Sequence, residues 1–151
     1  MISRLYTAVV ASSSHSTATT LIQITTPADL ISRVERAWIS QDSQDTSEQL
    51  TARIGRISST GAGATNTPTP HQVGDSAATA TVLNGCTTQP TYGNIFVDKG
   101  WNVLSGFEWV PVSDDDQIVI SPSSHAGMAL TSAPDAAISL SYGMTFREIG
   151  G

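Results

Sequence analysis

The strict alternation of the last segment, residues 137–149, constrains the fold of this chain more than any other feature. Every second side chain there is large and apolar, and the residues between are small or polar: Ile138, Leu140, Tyr142, Met144 and Phe146 against Ser139, Ser141, Gly143, Thr145 and Arg147. Because successive side chains of a strand point to opposite faces, the pattern predicts one long strand with its apolar face in a core. A strand with one polar face is typical of an antiparallel sheet.

Further segments have the β-branched and aromatic composition of strands and are separated by turn residues. They are residues 5–10, 21–24, 30–40, 50–58, 77–83, 117–120 and 128–130. Segment 30–40 also carries a helix-like apolar stripe, but its flanking Thr-Pro and its β-branched residues favour a bulged strand. Asn84-Gly85 predicts a turn. At 151 residues the chain has the size of one ordinary domain, and it is predicted to be a single all-β sandwich or barrel, residues 1–151.

Charge and cysteine content argue against several classes of function. The chain has 7 Lys plus Arg against 13 Asp plus Glu, a net charge of −6, which lacks the basic footprint of a nucleic-acid-binding protein. Charged residues make up only 13% of the chain, so we expect a surface rich in Ser and Thr hydroxyls. The only cysteine, Cys86, excludes an intramolecular disulfide and fits assembly in a reducing cytoplasm. Residues 1–11 lack the pattern of a signal peptide, and no apolar run is long enough to span a membrane.

Two segments are predicted to have opposite roles. Residues 58–75 combine Gly, Pro, Thr and Asn with almost no apolar mass, which predicts a long extended loop that lies across a neighbour. The densest apolar stretch begins at Ile95, and the sequence predicts that it forms the centre of the core: Ile95, Phe96, Val97, Trp101, Val103, Leu104, Phe107, Trp109, Val110 and Val112.

Candidate catalytic and metal-binding residues form no recognisable constellation. His15, His71 and His125 each stand among Ser, Thr, Pro or Gly without a second ligand at metal spacing, so we expect exposed loop histidines. The run Asp114–Asp116 offers oxygen ligands but lacks the alternation of a calcium loop, which favours a solvated turn. No Gly-x-Ser-x-Gly elbow accompanies the many serines. The sequence therefore predicts no catalytic residues, no metal and no cofactor.

The three tryptophans allow two interpretations. On one exposed platform, Trp38, Trp101 and Trp109 would stack against sugar rings, as in a carbohydrate-binding sandwich. Packed in the core, they would contribute only to stability. Core packing is favoured because Trp101 and Trp109 lie in the densest apolar stretch.

Distinctive motifs occur from Gly100 onward: GWNVL at 100–104, FEWVP at 107–111, IVISPS at 118–123, APDA at 133–136 and MTFREIG at 144–150. Looser similarity continues upstream through residues 41–43 and 53–57 and the Gly, Pro and Thr-rich segment, and so covers nearly the whole chain. As a set, these motifs resemble small β-rich virion proteins of tailed bacteriophages and their prophages, the capsid decoration or cement proteins. The chain departs from that group at Asp114–Asp116, where relatives have a shorter or mixed-charge turn.

The resemblance implies a jelly-roll-like antiparallel sandwich that forms homotrimers and clamps subunits of the major capsid protein. Such a protein is made in the host cytoplasm and ends on the outer surface of the virion capsid, without enzyme activity. Residues 1–11, as an N-terminal contact arm, and the 58–75 loop are the predicted contacts with the capsid or an adjoining protomer. The alternative is a head- or tail-attached module that recognises a host-surface glycan.

Overall fold

The alternating and β-branched segments of the chain fold as strands, which a computed structural model describes for residues 2–43 and 47–150. The only helical element among these residues is a 3-10 turn at Asp114–Asp116, and none of them forms a helix long and apolar enough to cross a membrane. The strands are β1 (Ile2–His15), β2 (Thr19–Thr25), β3 (Leu30–Gln41), β4 (Gln49–Ser59), β5 (Ala62–Asn66), β6 (Thr69–Pro70), β7 (Thr81–Thr88), β8 (Thr91–Asn102), β9 (Phe107–Trp109), β10 (Ile118–Ile120), β11 (His125–Leu130) and β12 (Ile138–Gly150).

Two antiparallel sheets of six strands enclose one hydrophobic core. Sheet 1 has the order β10–β3–β12–β1–β6, and β9 also pairs with β3. Sheet 2 has the order β5–β7–β2–β11–β4–β8. Consecutive strands from β1 to β4 alternate between the sheets, and so do β10, β11 and β12. The prediction of a single all-β antiparallel sandwich is therefore confirmed.

The C-terminal strand β12 lies inside sheet 1, between β1 and β3. Its predicted apolar face is buried, with no side chain more than 1% exposed: Ile138, Leu140, Tyr142, Met144 and Phe146. The Tyr6 ring of β1 packs against the Phe146 ring, with 5.8 Å between their centroids. On the opposite face Trp38 of β3 lies over Gly143, where only a residue without a Cβ leaves room for the indole ring. The predicted strand and its buried face are thus confirmed.

The densest apolar stretch is not the centre of the core, contrary to the prediction. Trp101, Val103 and Phe107 are buried, and Val97 and Trp109 are partly buried against the core, but the remaining large side chains of this stretch are exposed to a third or more: Ile95, Phe96, Leu104, Val110 and Val112. The cause is topological, because β8 and β9 lie at the edges of their sheets and most of β8 faces solvent. The core is centred instead on β1, β3 and β12 of sheet 1 and on β2, β4 and β11 of sheet 2.

Segment 58–75 is also different from the predicted long loop. It continues β4 to Ser59 and then forms β5, which pairs with β7, and β6, which pairs with β1. The side chain of Asn66 donates a hydrogen bond to the carbonyl of Val9 at 3.1 Å, and Pro68 is buried. Backbone groups that leave water need partners, and the two sheet edges supply them. This segment therefore passes from the edge of sheet 2 to the edge of sheet 1. We call the gap between two facing sheet edges a seam, and this segment closes one of the two seams of the sandwich.

Two smaller predictions also need correction. Within the described residues, the N-terminal segment 1–11 is not a separate arm, because Ile2 and the residues after it belong to β1 and pair with β12. Asn84 and Gly85 are not a turn but lie inside β7. Gly85 has a φ of +55°, and the pairing of β7 with β5 shifts register beside it. Because glycine adopts positive φ without a Cβ clash, the dipeptide forms a bulge.

Candidate functional site

The second seam of the sandwich, between β8 of sheet 2 and β9 and β10 of sheet 1, is closed only in part. Residues 103–107 cross it, and Val103 and Phe107 are buried at the crossing. Beside this crossing a groove of about 650 Å³ opens between the two sheet edges. We call it the seam groove, and its main apolar lining is Ile95, Phe96, Trp109, Val110, Val112 and Val119.

The apolar side chains of the seam groove are exposed to an unusual degree. Val112 is 95% exposed, Val110 52%, Phe96 48% and Val119 47%. Single exposed apolar residues are ordinary on protein surfaces, but several of them along one groove favour a binding surface. The seam groove is therefore the candidate functional site of the described chain.

A bulge in β8 contributes to this exposure. Val97 pairs with Ile54 of β4 and Ile95 pairs with Gly55, so Phe96 is an extra residue without a partner on β4. A bulge increases the local twist and redirects the neighbouring side chains. It leaves Phe96 at the groove, on an edge strand of which most residues face solvent.

A break at the edge of sheet 1 supplies the other wall. Here β9 pairs with residues 37–39 of β3 and β10 pairs with residues 32–34, so residues 110–117 leave the edge between them. Pro111 has no backbone N–H to continue the ladder, and it restricts the residue before it. The Ser113 hydroxyl then donates to a carboxylate oxygen of Asp116 at 3.0 Å within the 3-10 turn.

The seam groove carries negative charge that lacks a paired cation in the described part of the chain. Two of the three carboxylates of Asp114–Asp116 line it, and none of the three takes part in an ion pair within residues 2–43 and 47–150. By contrast, Glu108 on the same sheet edge pairs with Arg36 at 3.2 Å. The Oε1 atom of Gln117, another lining residue, is buried without a hydrogen-bond donor from the described chain. A cationic partner fits the exposed carboxylates best.

The three tryptophans do not form one platform. Trp101 is buried in the core, 4% exposed. Trp38 lies on the outer face of sheet 1 over Gly143, with the Arg36 guanidinium 5.0 Å from its ring centroid. Trp109 pairs with Ala37, a buried core residue, and directly paired residues share a sheet face. Trp109 therefore faces the interior, where it lines the seam groove, on the side of the sheet opposite to Trp38.

The histidines lie on separate elements, and the prediction that all are exposed loop residues is wrong for two of them. His15 ends β1 and is buried, with its ring centroid 5.5 Å from that of Tyr142, and burial lowers its pKa. His125 begins β11, where its Nδ1 atom is 3.0 Å from the Thr25 hydroxyl. His71 is exposed, as predicted. Across the described ranges no three His, Cys, Asp or Glu side chains cluster in a way that would hold a metal ion.

Cys86 lies in β7 and is buried, 3% exposed. Burial raises the pKa of its thiol, because the interior disfavours the thiolate. A buried, protonated thiol behaves as a small apolar side chain.

With this geometry in place, the chain was compared with known proteins. No model of a protein family, no characterised protein and no solved structure matches it. The similarity to capsid decoration proteins thus stays a prediction from the motifs of the sequence.

The sequence reasoning missed the seam groove because it assigned its residues to the core. A signal was nevertheless present at Val110, Pro111 and Val112, where a proline separates two apolar residues and three aspartates follow within four positions of Val112. Proline is confined to edges and irregular backbone in a sheet, and a run of charge seldom enters a core. Together these features indicate an edge, and apolar residues at an edge are exposed.

Proposed function

We propose that this chain is a structural virion protein, a capsid decoration or cement protein that binds the major capsid protein on the outer surface of a tailed-phage shell. The motifs of residues 100–150 support this proposal. The observation that carries it is the seam groove, an exposed apolar surface on a sandwich whose low charge and hydroxyl-rich surface suit protein contact.

We also infer that the sandwich is a jelly roll. Eight of its strands form two sets of four, β10–β3–β12–β1 and β2–β11–β4–β8, and the chain crosses between the sets from β1 to β4 and from β10 to β12. Two interlocked Greek keys give this type of strand order, which is used in viral capsid and lectin domains. The paired strands β5 and β7 extend the second set beyond β2. Fold alone does not select a function, so the groove and the motifs carry the choice.

A decoration protein of this kind stabilises the shell by mass action. Binding only to the assembled shell stabilises the shell by about 2.7 kcal/mol per site when the concentration of free protein is 100 times the dissociation constant. Salt screens interactions between charges, so contacts made by hydroxyl and apolar groups would hold their affinity as ionic strength rises.

The proposal retains the predicted homotrimer and the predicted contact role of segments 1–11 and 58–75. A paired strand still presents an outer edge or face, and β6 covers only two residues of the long strand β1, Tyr6 and Thr7. The Val9 carbonyl accepts from Asn66 and the Leu5 carbonyl from the backbone N–H of His71, and the rest of this edge offers backbone groups to a neighbour.

The direct test mixes the purified protein with expanded shells that lack it and with shells already saturated with it. We expect saturable binding at regular lattice positions and a higher rupture temperature for the first shells only. Absence of binding to unoccupied shells at micromolar protein would refute the decoration function.

A glycan-binding module is the second candidate, favoured by the two aromatic side chains of the seam groove, Phe96 and Trp109. Aromatic rings stack against sugar rings, although the predicted platform of three tryptophans is not formed. A glycan array separates the candidates: binding to one class of glycan that quenches Trp109 fluorescence supports the module, and an array without signal removes it.

A further inference from the structure

We propose that the seam groove binds an extended segment of another protein, one that carries apolar side chains next to a Lys or Arg. The chemistry of this segment follows from the groove itself. Its source, an extended arm of the major capsid protein, rests on the proposed function.

The contrast between the two seams is the first observation. The chain closes one seam with its own segment 62–70, which forms β5 and β6 at the two sheet edges and places Pro68 in a buried position between them. That segment has no large apolar side chain, whereas the open seam is lined by several exposed ones beside its two carboxylates. Folding alone would favour the reverse arrangement, because burial of apolar side chains is the main favourable term. The open seam is therefore suited to an occupant that the chain does not supply from its described residues.

The shape of the seam groove selects an extended occupant. It lies between β8, the last strand of sheet 2, and the broken edge of sheet 1 formed by β9 and β10. The end of β8, residues 98–102, pairs with β4 in regular register and has no strand on its other side. Free backbone groups of an edge strand bind extended segments by adding a strand, while neighbouring pockets take alternate side chains.

The negative charge of the seam groove favours an occupant with a positively charged residue. The carboxylates of Asp115 and Asp116, which line the groove, lack ion-pair partners in the described chain. An occupant that covered these groups without a cation would leave a desolvated charge unpaired, which is costly. A lysine or arginine beside the apolar residues removes this cost and disfavours acidic or phosphorylated segments.

The test selects a displayed library of random twelve-residue peptides on the full-length protein. Two variants form a matched pair: Val112→Asp in the groove and Val73→Asp outside it, since both valines are almost fully exposed, at 95% and 101%. We expect enriched peptides with alternating apolar residues and a Lys or Arg. Their affinity should fall about tenfold with Val112→Asp, because the variant removes the apolar contact of one valine side chain, and it should not change with Val73→Asp.

A third variant tests the charge. Asp115→Asn should weaken the selected peptides about threefold and relax their preference for Lys or Arg, since it removes one carboxylate while keeping the shape. Circular dichroism melts of all variants must match the wild type. Failure to enrich peptides that distinguish wild type from Val112→Asp would overturn the proposal, and so would enrichment of acidic peptides. A wild-type oligomer that Val112→Asp alone converts to monomers would also overturn it, by assigning the groove to a second copy of the chain.

Shell binding separates this proposal from the decoration function. If wild type and Val112→Asp bind unoccupied shells equally, the groove is not the capsid contact and the decoration function stands. If neither binds shells but the peptides still distinguish the variants, the decoration function fails and the chemistry of the groove stands.

Discussion

Replacement of Glu148 by alanine should destabilise the sandwich more than any surface carboxylate replacement, by about 3 kcal/mol. The Glu148 side chain of β12 is buried, 6% exposed. Its Oε1 atom accepts the backbone N–H groups of Thr79 at 2.9 Å and Ala80 at 2.6 Å, which tie the segment before β7 to sheet 1. A hydrogen bond to a charged group contributes about 1.5–3 kcal/mol, and a buried donor left without a partner costs about 1–3 kcal/mol. The Thr79 bond is only partly buried, so we take both bonds at the lower end of the first range, and two such bonds give about 3 kcal/mol.

Urea unfolding followed by circular dichroism measures this loss, and a thermal melt should fall by about 6–12 °C for a domain of this size. Glu148→Gln keeps an Oε1 acceptor for both N–H groups and should lose only about 1 kcal/mol. Glu108→Ala is the surface control, because its ion pair with Arg36 is half exposed and should contribute less than about 1 kcal/mol. Equal losses for Glu148→Ala and Glu108→Ala would refute the reasoning that the buried carboxylate anchors this segment.

The remaining predictions concern three other sites. Gly143→Ala should cost about 1–3 kcal/mol and shift tryptophan emission, because its Cβ would collide with the Trp38 ring and lie 2.8 Å from the Ala8 carbonyl oxygen; unchanged emission would contradict this. Cys86 should react with a thiol reagent far more slowly in the native protein than in urea, since burial raises its pKa, and equal rates would contradict its burial. Burial lowers the pKa of His15, so the unfolded state binds more protons and stability should fall as pH drops below about 6.5, by up to about 1.4 kcal/mol per pH unit. His15→Gln should reduce this slope between pH 7.5 and pH 5.5, and an unchanged slope would assign it to other groups.

The local pattern of the sequence predicts those strands that have a long neighbouring strand on both sides over their whole length. In β12 both neighbours are long strands, so the alternation of Ile138 to Phe146 reports one continuous buried face. The fold class follows from the same periodicity together with frequent turn residues. The order of strands within the sheets does not follow from the periodicity, because that order depends on which distant segments pair.

Apart from the edge signal at residues 110–112, the candidate site was not predictable, because exposure at an edge depends on that order. Phe96 and Val110 have the composition of core residues, and only the position of β8 and β9 at sheet edges exposes them. His15 shows the opposite case, since a histidine among serines lies buried beside Tyr142 once β1 pairs with β12. In both cases the pairing partner, which local composition does not encode, decides the burial.

The contrast between the two seams of the sandwich relates the wrong predictions for segment 58–75 and for the apolar stretch to function. Segment 58–75 was predicted to contact another protein because it is polar and rich in proline, yet its strands close the sandwich, with Asn66 bonded to the Val9 carbonyl. The apolar residues expected in the core line the seam that stays open. A chain selected only for stability would gain from exchanging these roles, because each buried valine contributes about 1.5 kcal/mol or more that Val112, 95% exposed, does not supply. Exposed apolar residues in the open seam are therefore better explained by binding than by folding. Substitutions in the seam groove should accordingly reduce binding more than substitutions elsewhere on the surface.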